Sequence, residues 1–411
     1  MVKENQKKGK FAYLFFLLVY CLSASDWELP GSDILRWVVI ALLAFSGMIH
    51  KVTKNKGIGL DMGPYQYLFV AYMLGFLVSD VNLSIGFQRA LSFFVLIFGS
   101  YLYFEREGME SLDIQESFSI FSAYLCTLMV ALSVLYVTGK GGGFGDFKGI
   151  YANKNYLVSI SCTAVCSGIH LVLNTSGFKR FISLFGLACA VFVTVATGSR
   201  AGIVCMGITF LSLPFIVMEA GSLKKKVGIV FLLLVVIVIM YVIAINSNIP
   251  ALERLFADTD SSSTGFARED TWESGFNIFK TKPILGWGNS GTYYYTFIDG
   301  HQGWGVHSSY ITILIDHGIV GTFLHILFIG VFVINAYKRH IQIDFTPTER
   351  RFIKLLYVLC LMLLANAAAE SFLFSVGNIA AICFWLNMVF IDLFLKYKLE
   401  EKVPLDAGEI S

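Results

Sequence analysis

Arg200, Arg268 and His307 are the residues of this 411-residue chain best suited to chemistry. Arg200 stands in TGSRAG (197–202), a short turn between two apolar runs. Arg268 opens the polar stretch REDTWESGFNIFK, and His307 stands in GWGVHSSY at the start of another apolar run. Charges in or beside apolar spans are expensive and are functional candidates for that reason. Arginine offers a planar, permanently charged fork that grips phosphate oxygens and stabilises charge on a departing diphosphate. A neutral imidazole can take the proton of an attacking sugar hydroxyl. Two guanidiniums and an imidazole facing one compartment suit a phosphorylated lipid and a sugar transfer that needs no metal. Each residue also has a plainer reading. Arg200 could snorkel to phospholipid headgroups, Arg268 could be a solvated charge pairing with Glu269 or Glu273, and His307 could cap its span by bonding turn backbone.

Membrane-spanning helices must hold these residues. The chain is 56% hydrophobic and 15% charged, against roughly 25% charged in soluble domains, which excludes a water-soluble protein. Its apolar runs are long enough to cross about 30 Å of hydrocarbon as helix, and the alternation of an outer-membrane barrel is absent. A net charge of +2 excludes a nucleic-acid binder acting through bulk electrostatics. All eight cysteines fall in apolar runs and read as membrane packing. The expected fold is an all-α integral membrane protein of about 12 transmembrane helices. They begin near Phe11, Ile34, Tyr65, Leu83, Ser117, Tyr156, Phe178, Gly202, Val227, Ser308, Phe352 and Gly377.

Lysine and arginine in short loops resist translocation and so mark the cytoplasmic side. Lys3, Lys7, Lys8 and Lys10 place the start inside. Strict alternation keeps inside Lys51, Lys54, Lys56, Lys179, Arg180, Lys224 to Lys226, Lys338, Arg339, Arg350, Arg351, Lys396 and Lys398. Both termini are then cytoplasmic, although the basic start and Ala24 also fit a cleaved signal peptide. The same alternation puts residues 25–33, 79–82, the glycine-rich 139–155 and the long 246–307 outside. A loop of that length in a tightly threaded bundle is usually functional, so 247–306 is expected to form an extracytoplasmic lid between the ninth and tenth spans. Short amphipathic helices are expected there, one from Ala251 (ALERLFADTD) and one in AREDTWESGFNIFK, where Trp272, Gly275, Phe276 and Phe279 recur at helical spacing. Ser263 or Thr264 would cap the second, and Thr281, Lys282 and Pro283 would stop it. No internal repeat is evident, which disfavours an inverted-repeat transporter.

Four motifs, in order, resemble the O-antigen ligase/polymerase family of bacterial membrane glycosyltransferases. GIYANKN (149–155) looks like the family's glycine–aromatic–Asn turn opening a span, and TGSRAG like its Ser-Arg-small turn. REDTWESGFNIFKTKPILGWG (268–288) has its spacing of Arg, Trp and Pro-Ile-Leu-Gly-Trp-Gly. HSSYITILIDHGIVG (307–321) is similar to its His-Asn/Ser-x-Tyr/Phe run followed by an acidic residue and Gly-Ile. The resemblance covers a core, 149–321, of what reads as one polytopic membrane domain, 1–411. It implies an inverting, metal-independent transferase of the GT-C-like type, without cofactor, that moves glycan from an undecaprenyl-diphosphate donor to an acceptor hydroxyl at the outer face of the bacterial inner membrane. Carried over by position, Arg200 and Arg268 would bind diphosphate and His307 would activate the acceptor. The family often has Asn after this His. Ser308 stands there in this chain, which weakens any role for the second position.

Two reactions stay open within the family. Polymerisation of O-antigen, capsule or exopolysaccharide repeat units is favoured, because nothing reads as a dedicated core-sugar pocket. The alternative is ligation of finished polysaccharide to lipid A-core or another terminal acceptor. A non-enzymatic lipid or polysaccharide transporter is the rival class, and it would show broken helices and polar residues at mid-bilayer. The implied partners are the lipid-linked donor, a glycan or lipid-linked acceptor, the lipid bilayer, a chain-length regulator and a flippase, but no nucleic acid.

Weaker candidates remain. Arg89 could contact diphosphate or snorkel. Glu370, an intramembrane acid, could orient His307, bind sugar hydroxyls, pair with Arg89 or sit protonated. Asn153 and Asn155 could cap their span or touch sugar or phosphate. Trp272 and Trp287 are candidate substrate contacts; Trp287, Trp304 and Tyr293 to Tyr295 could stack on sugars or form the interfacial belt. Asp258 and Asp260 read as solvated loop charge, His301 and His317 as bystanders, and the run from Gly139 to Gly149 lacks the nucleotide-loop pattern.

Overall fold

Helices account for every regular element among the described residues of the computed structural model, which are 32–53, 63–79, 82–105, 110–151, 153–218, 223–232, 234, 268–292, 306–373 and 379–402. The helices are α1 (Ser32–Thr53), α2 (Tyr65–Leu77), α3 (Leu83–Phe104), α4 (Ser111–Val137), α5 (Lys154–Asn174), α6 (Gly177–Ala196), α7 (Arg200–Val217), α8 (Arg268–Thr281), α9 (Ser309–Gln342), α10 (Pro347–Ala367) and α11 (Ile379–Lys402), with a further helical stretch over 223–232. Among the described residues, seven helices are long and apolar enough to cross a bilayer. The expected first span from Phe11, the helix from Ala251, the cap at Ser263 or Thr264, and residues Tyr293 to Tyr295, His301 and Trp304 lie outside the described residues.

Two helices start ahead of their apolar runs because polar residues cap them. α4 begins at Ser111 rather than Ser117: Asp113 lies in its first turn, and its carboxylate accepts from the Glu110 N–H at 3.0 Å. α10 begins at Pro347 rather than Phe352. There Glu349 accepts from the Thr346 N–H at 2.9 Å and the Thr346 hydroxyl accepts from the Glu349 N–H at 3.4 Å, a reciprocal capping box with proline in the first turn.

The chain folds as two compact units. The first comprises residues 1–36, 115–261 and 345–366. In it α5, rich in Ser, Thr, Cys and Ala, is the most buried helix, and small side chains let neighbouring backbones approach closely. Gly186 of α6 lies so near Cys126 of α4 that a Cβ would stand 2.8 Å from the cysteine Cβ. The Cys166 and Cys205 thiols donate across to the Leu355 and Met362 carbonyls of α10.

The second unit comprises residues 37–114, 262–344 and 367–411. α9 runs for 34 residues, roughly 50 Å at 1.5 Å per residue, and packs on α2, α8 and α11. It breaks at Gly318, where φ is 59° and ψ −164°. A break in an apolar setting strands backbone polar groups at a cost of several kcal/mol each. Here the segment after α8 takes up three of them. The Trp287 N–H donates to the Ile315 carbonyl at 2.8 Å, while the Ile319 and Val320 N–H groups donate to the Pro283 and Ile284 carbonyls at 2.8 and 3.1 Å. The two backbones touch through glycines: a Cβ on Gly286 would stand 2.5 Å from the Gly318 nitrogen, and one on Gly318 would stand 2.5 Å from the Gly286 nitrogen. PILGWG and DHGIVG are therefore two halves of one joint. Gly318→Ala is expected to destabilise the purified protein by about 3 kcal/mol or more, read as a fall in thermal midpoint. Gly330→Ala, in the same helix with nothing within 4 Å, is expected to leave the midpoint unchanged or slightly raised.

At the far end of this unit the Arg339 guanidinium donates to Asp392 at 2.6 Å, and Lys396 pairs with Glu105. These pairs tie α9 to α11 and α11 to α3.

Candidate active site

His307 is positioned from two directions within the second unit. From one side α8 docks against the start of α9: Trp272, Ile278, Phe279 and Trp287 pack on Val306, Ile311 and Ile315. Gly275 permits this approach, since a Cβ there would stand 2.8 Å from both Ile311 and Val306. From the other side the turn at 370–373 is latched to the two serines after His307. The Ser308 N–H donates to the Ser371 hydroxyl at 2.9 Å. The Ser309 hydroxyl donates to the Glu370 carbonyl at 2.7 Å and accepts from the Phe372 and Leu373 N–H groups at 3.0 Å each. Ser308 and Ser309 thus hold the turn that carries Glu370.

Between these supports His307 adopts φ +50°, the one positive φ on a non-glycine residue among those described. Such backbone is uncommon for a side-chain-bearing residue and costs of order 1–3 kcal/mol. It persists because both flanks are fixed. The ring is 29% exposed, and its Nδ1 lies 3.7 Å from Glu370 Oε2. That distance is too long for a hydrogen bond, but the carboxylate favours the ring orientation and tautomer that place a proton on Nδ1. Nε2 then carries the free lone pair, the arrangement a general base needs. Glu370 lies against His307, whereas Arg89 faces a different acid.

That acid is Asp316. Arg89 Nη1 donates to the Asn289 carbonyl at 3.0 Å and lies 3.9 Å from Asp316 Oδ2. Asp316 Oδ1 accepts from the Thr292 N–H at 2.6 Å and the Thr292 hydroxyl at 2.8 Å. Asn289 is buried, and its amide donates to the Tyr72 and Gly86 carbonyls at 3.0 and 3.3 Å, pinning the 286–292 segment between α2 and α3. Arg89 is 39% exposed, with part of its hydrogen-bonding capacity committed to holding this segment. Asp316→Ala is expected to cost about 3–5 kcal/mol, because it removes the acceptor of both Thr292 donors and the counter-charge of Arg89. The thermal midpoint of the purified variant checks this.

The two tryptophans are also built into the scaffold. Trp287 Nε1 donates to the Thr281 hydroxyl at 3.1 Å and the Ile278 carbonyl at 3.3 Å, and Lys282 lies 3.9 Å over its ring. It clasps the end of α8 to the joint at Gly286. Trp272 is half-buried in the cluster beneath His307. His317 lies deeper in α9, its ring 5.0 Å from those of Tyr72 and His325. Arg268 is the first residue of α8, and the placement of its side chain lies outside the described residues.

The first unit holds the remaining candidates. Arg200 is exposed at the first position of α7. Asn153 caps α5, its side chain accepting from the Asn155 N–H at 2.9 Å. The Asn155 carbonyl accepts from the Ser159 hydroxyl at 3.3 Å.

Asn289, Asp316 and Ser371 were not singled out as site residues from the sequence. Asp316 carried the same signal as Glu370, an acid within an apolar span. Asn289 and Ser371 carried none, since buried amides and hydroxyls are common in membrane helices.

These features define a multi-pass, all-helical membrane protein with an imidazole held beside a carboxylate at the head of a broken span. Residues 185–326 match the O-antigen ligase family. The matched segment, about a third of the chain, holds TGSRAG, α8, the Gly286–Gly318 joint and His307. GIYANKN, at 149–155, lies outside the matched segment. A comparison with curated proteins finds no match. The family match supports glycan transfer of the ligase/polymerase type in general.

Proposed function

We propose that the protein transfers glycan from undecaprenyl diphosphate to an acceptor hydroxyl at the outer face of the bacterial inner membrane, most simply by polymerising O-antigen, capsule or exopolysaccharide repeat units. The observation that carries the reading is the family match across 185–326, which contains both arginines and the histidine. His307 takes the acceptor's proton through Nε2, with Glu370 as the positioning residue behind Nδ1. The acceptor oxygen forms its bond to the anomeric carbon as the bond from that carbon to the diphosphate oxygen breaks, so attack and departure on opposite faces invert the centre. Arg200 and Arg268 take the negative charge that grows on the departing lipid diphosphate, which is where stabilisation accelerates the step. No metal is needed in this scheme, because the guanidiniums supply the positive charge.

Reconstitution with a defined undecaprenyl-diphosphate oligosaccharide tests the reading. Longer lipid-linked chains are expected; glycan on an added lipid A-core acceptor instead would indicate the ligase; neither would overturn the proposal. Glu370→Gln is expected to lower kcat about tenfold or more while leaving donor KM unchanged, because it disturbs the tautomer and not the diphosphate contacts.

The transporter reading draws on the break in α9 at Gly318 and on the buried Asp316 and His317 beside it, since interrupted helices and polar residues within spans mark transport sites. Three of its freed backbone groups are bonded to Pro283, Ile284 and Trp287 within the protein, as in a structural joint, which favours the transferase.

A further inference from the structure

In the first unit two helices begin with a base: α5 with Lys154 and α7 with Arg200. The helix dipole is positive at that end, so neither cation stabilises the helix it opens. The first turn of α7 lies against the second and third turns of α5. The Cys162 thiol of α5 donates to the Gly202 carbonyl of α7 at 3.6 Å, and a Cβ on Gly202 would stand 3.2 Å from Val158.

The glycine-rich loop 139–149 folds onto the same end. The Gly145 and Phe147 N–H groups donate to the Ala196 carbonyl at 2.8 and 3.3 Å. Gly198, at φ +65°, lies so close that a Cβ would stand 2.4 Å from the Gly145 carbonyl oxygen. Lys154 reaches into this loop, its Nζ 3.0 Å from Asp146 Oδ1 and 3.5 Å from the Gly145 carbonyl. The ammonium is thus bonded to the loop that lies against the Arg200 turn. The charge pattern is also out of keeping with the orientation expected from the sequence. Residues 139–155 carry Lys140, Lys148 and Lys154 against Asp146 alone, in a segment expected on the translocated side, where lysine is depleted.

We propose that Lys154 is a further donor-binding residue: its ammonium contacts the diphosphate of the polyprenyl donor beside Arg200, and Asp146 occupies it until the diphosphate takes that place. The inference rests on the reading of Arg200 as a diphosphate ligand. Asp146 is 70% exposed, so the pair it makes is weak and easily exchanged. Lysine is an effective point-charge ligand for phosphate, and an anion beside Arg200 makes the dipole at the start of α7 favourable.

The test is binding of undecaprenyl diphosphate, with undecaprenol as the uncharged control, to the full-length protein in nanodiscs, alongside donor KM. Lys154→Gln is expected to weaken diphosphate binding and raise donor KM roughly tenfold, and Lys154→Arg to retain most of the affinity. Asp146→Asn is expected to tighten binding about two- to fivefold by removing the competitor. A salt bridge that only braces the loop would make Lys154→Gln and Asp146→Asn weaken binding alike, and that result, or unchanged affinity in Lys154→Gln, overturns the proposal. If Arg200→Ala loses affinity while Lys154→Gln keeps it, Lys154 alone is misassigned. If the wild type binds undecaprenyl diphosphate no more tightly than undecaprenol, the reading of Arg200 falls with it.

Discussion

His307→Asn is expected to lower kcat for glycan transfer by about 10²–10⁴-fold, the usual contribution of a positioned general base, with little change in donor KM. Asparagine is the informative replacement because the backbone at 307 sits at φ +50°. Asparagine tolerates that region, whereas alanine adds roughly 1–2 kcal/mol of backbone cost. The variant should keep the latch of Ser308 and Ser309 on the 370–373 turn, since those bonds involve neither ring nitrogen. Its thermal midpoint should therefore stay near that of the wild type while turnover collapses. Initial rates with a defined lipid-linked donor decide the matter: turnover within about threefold of wild type would mean that the proton leaves by another route.

The second large effect is expected at the arginines. Arg200→Ala and Arg268→Ala should each reduce kcat by about 10²–10³-fold, the cost of removing one preorganised donor from a developing anion. Lysine at either position should recover only part of the rate, because it keeps the charge and loses the two-pronged grip on phosphate oxygens. The effect should fall on kcat as well as KM, since the charge on the leaving group grows in the transition state. A change in KM alone would reassign both residues to ground-state binding of the lipid.

The helices were legible because the spans are long and apolar, and α8 because REDTWESGFNIFK has helical spacing and stops before Pro283. The ends of α4 and α10 were missed for a physical reason: Asp113, and the Thr346–Glu349 box, are polar residues that extend a helix beyond its apolar run. His307 could be singled out from its place at the head of a span, but its left-handed backbone could not. That conformation is imposed by Trp272 and Val306 on one side and Ser371 on the other, contacts between segments far apart in the chain. The joint between Gly286 and Gly318 was likewise hidden. Its hydrogen bonds are backbone to backbone, so sequence records only glycines and not which of them meet. Glu370 and Arg89 left several pairings open in sequence. In the fold Glu370 lies beside His307, and Arg89 faces Asp316 and the Asn289 carbonyl, because the 286–292 segment inserts between α2 and α3.

The most direct measurement is the fate of the carrier lipid. Proteoliposomes containing the protein and a defined undecaprenyl-diphosphate glycan should release one undecaprenyl diphosphate for every new glycosidic bond. That release should fall together with bond formation in Arg200→Ala, Arg268→Ala and His307→Asn. Release of undecaprenyl monophosphate, new bonds without lipid release, or wild-type rates in all three variants would contradict the account.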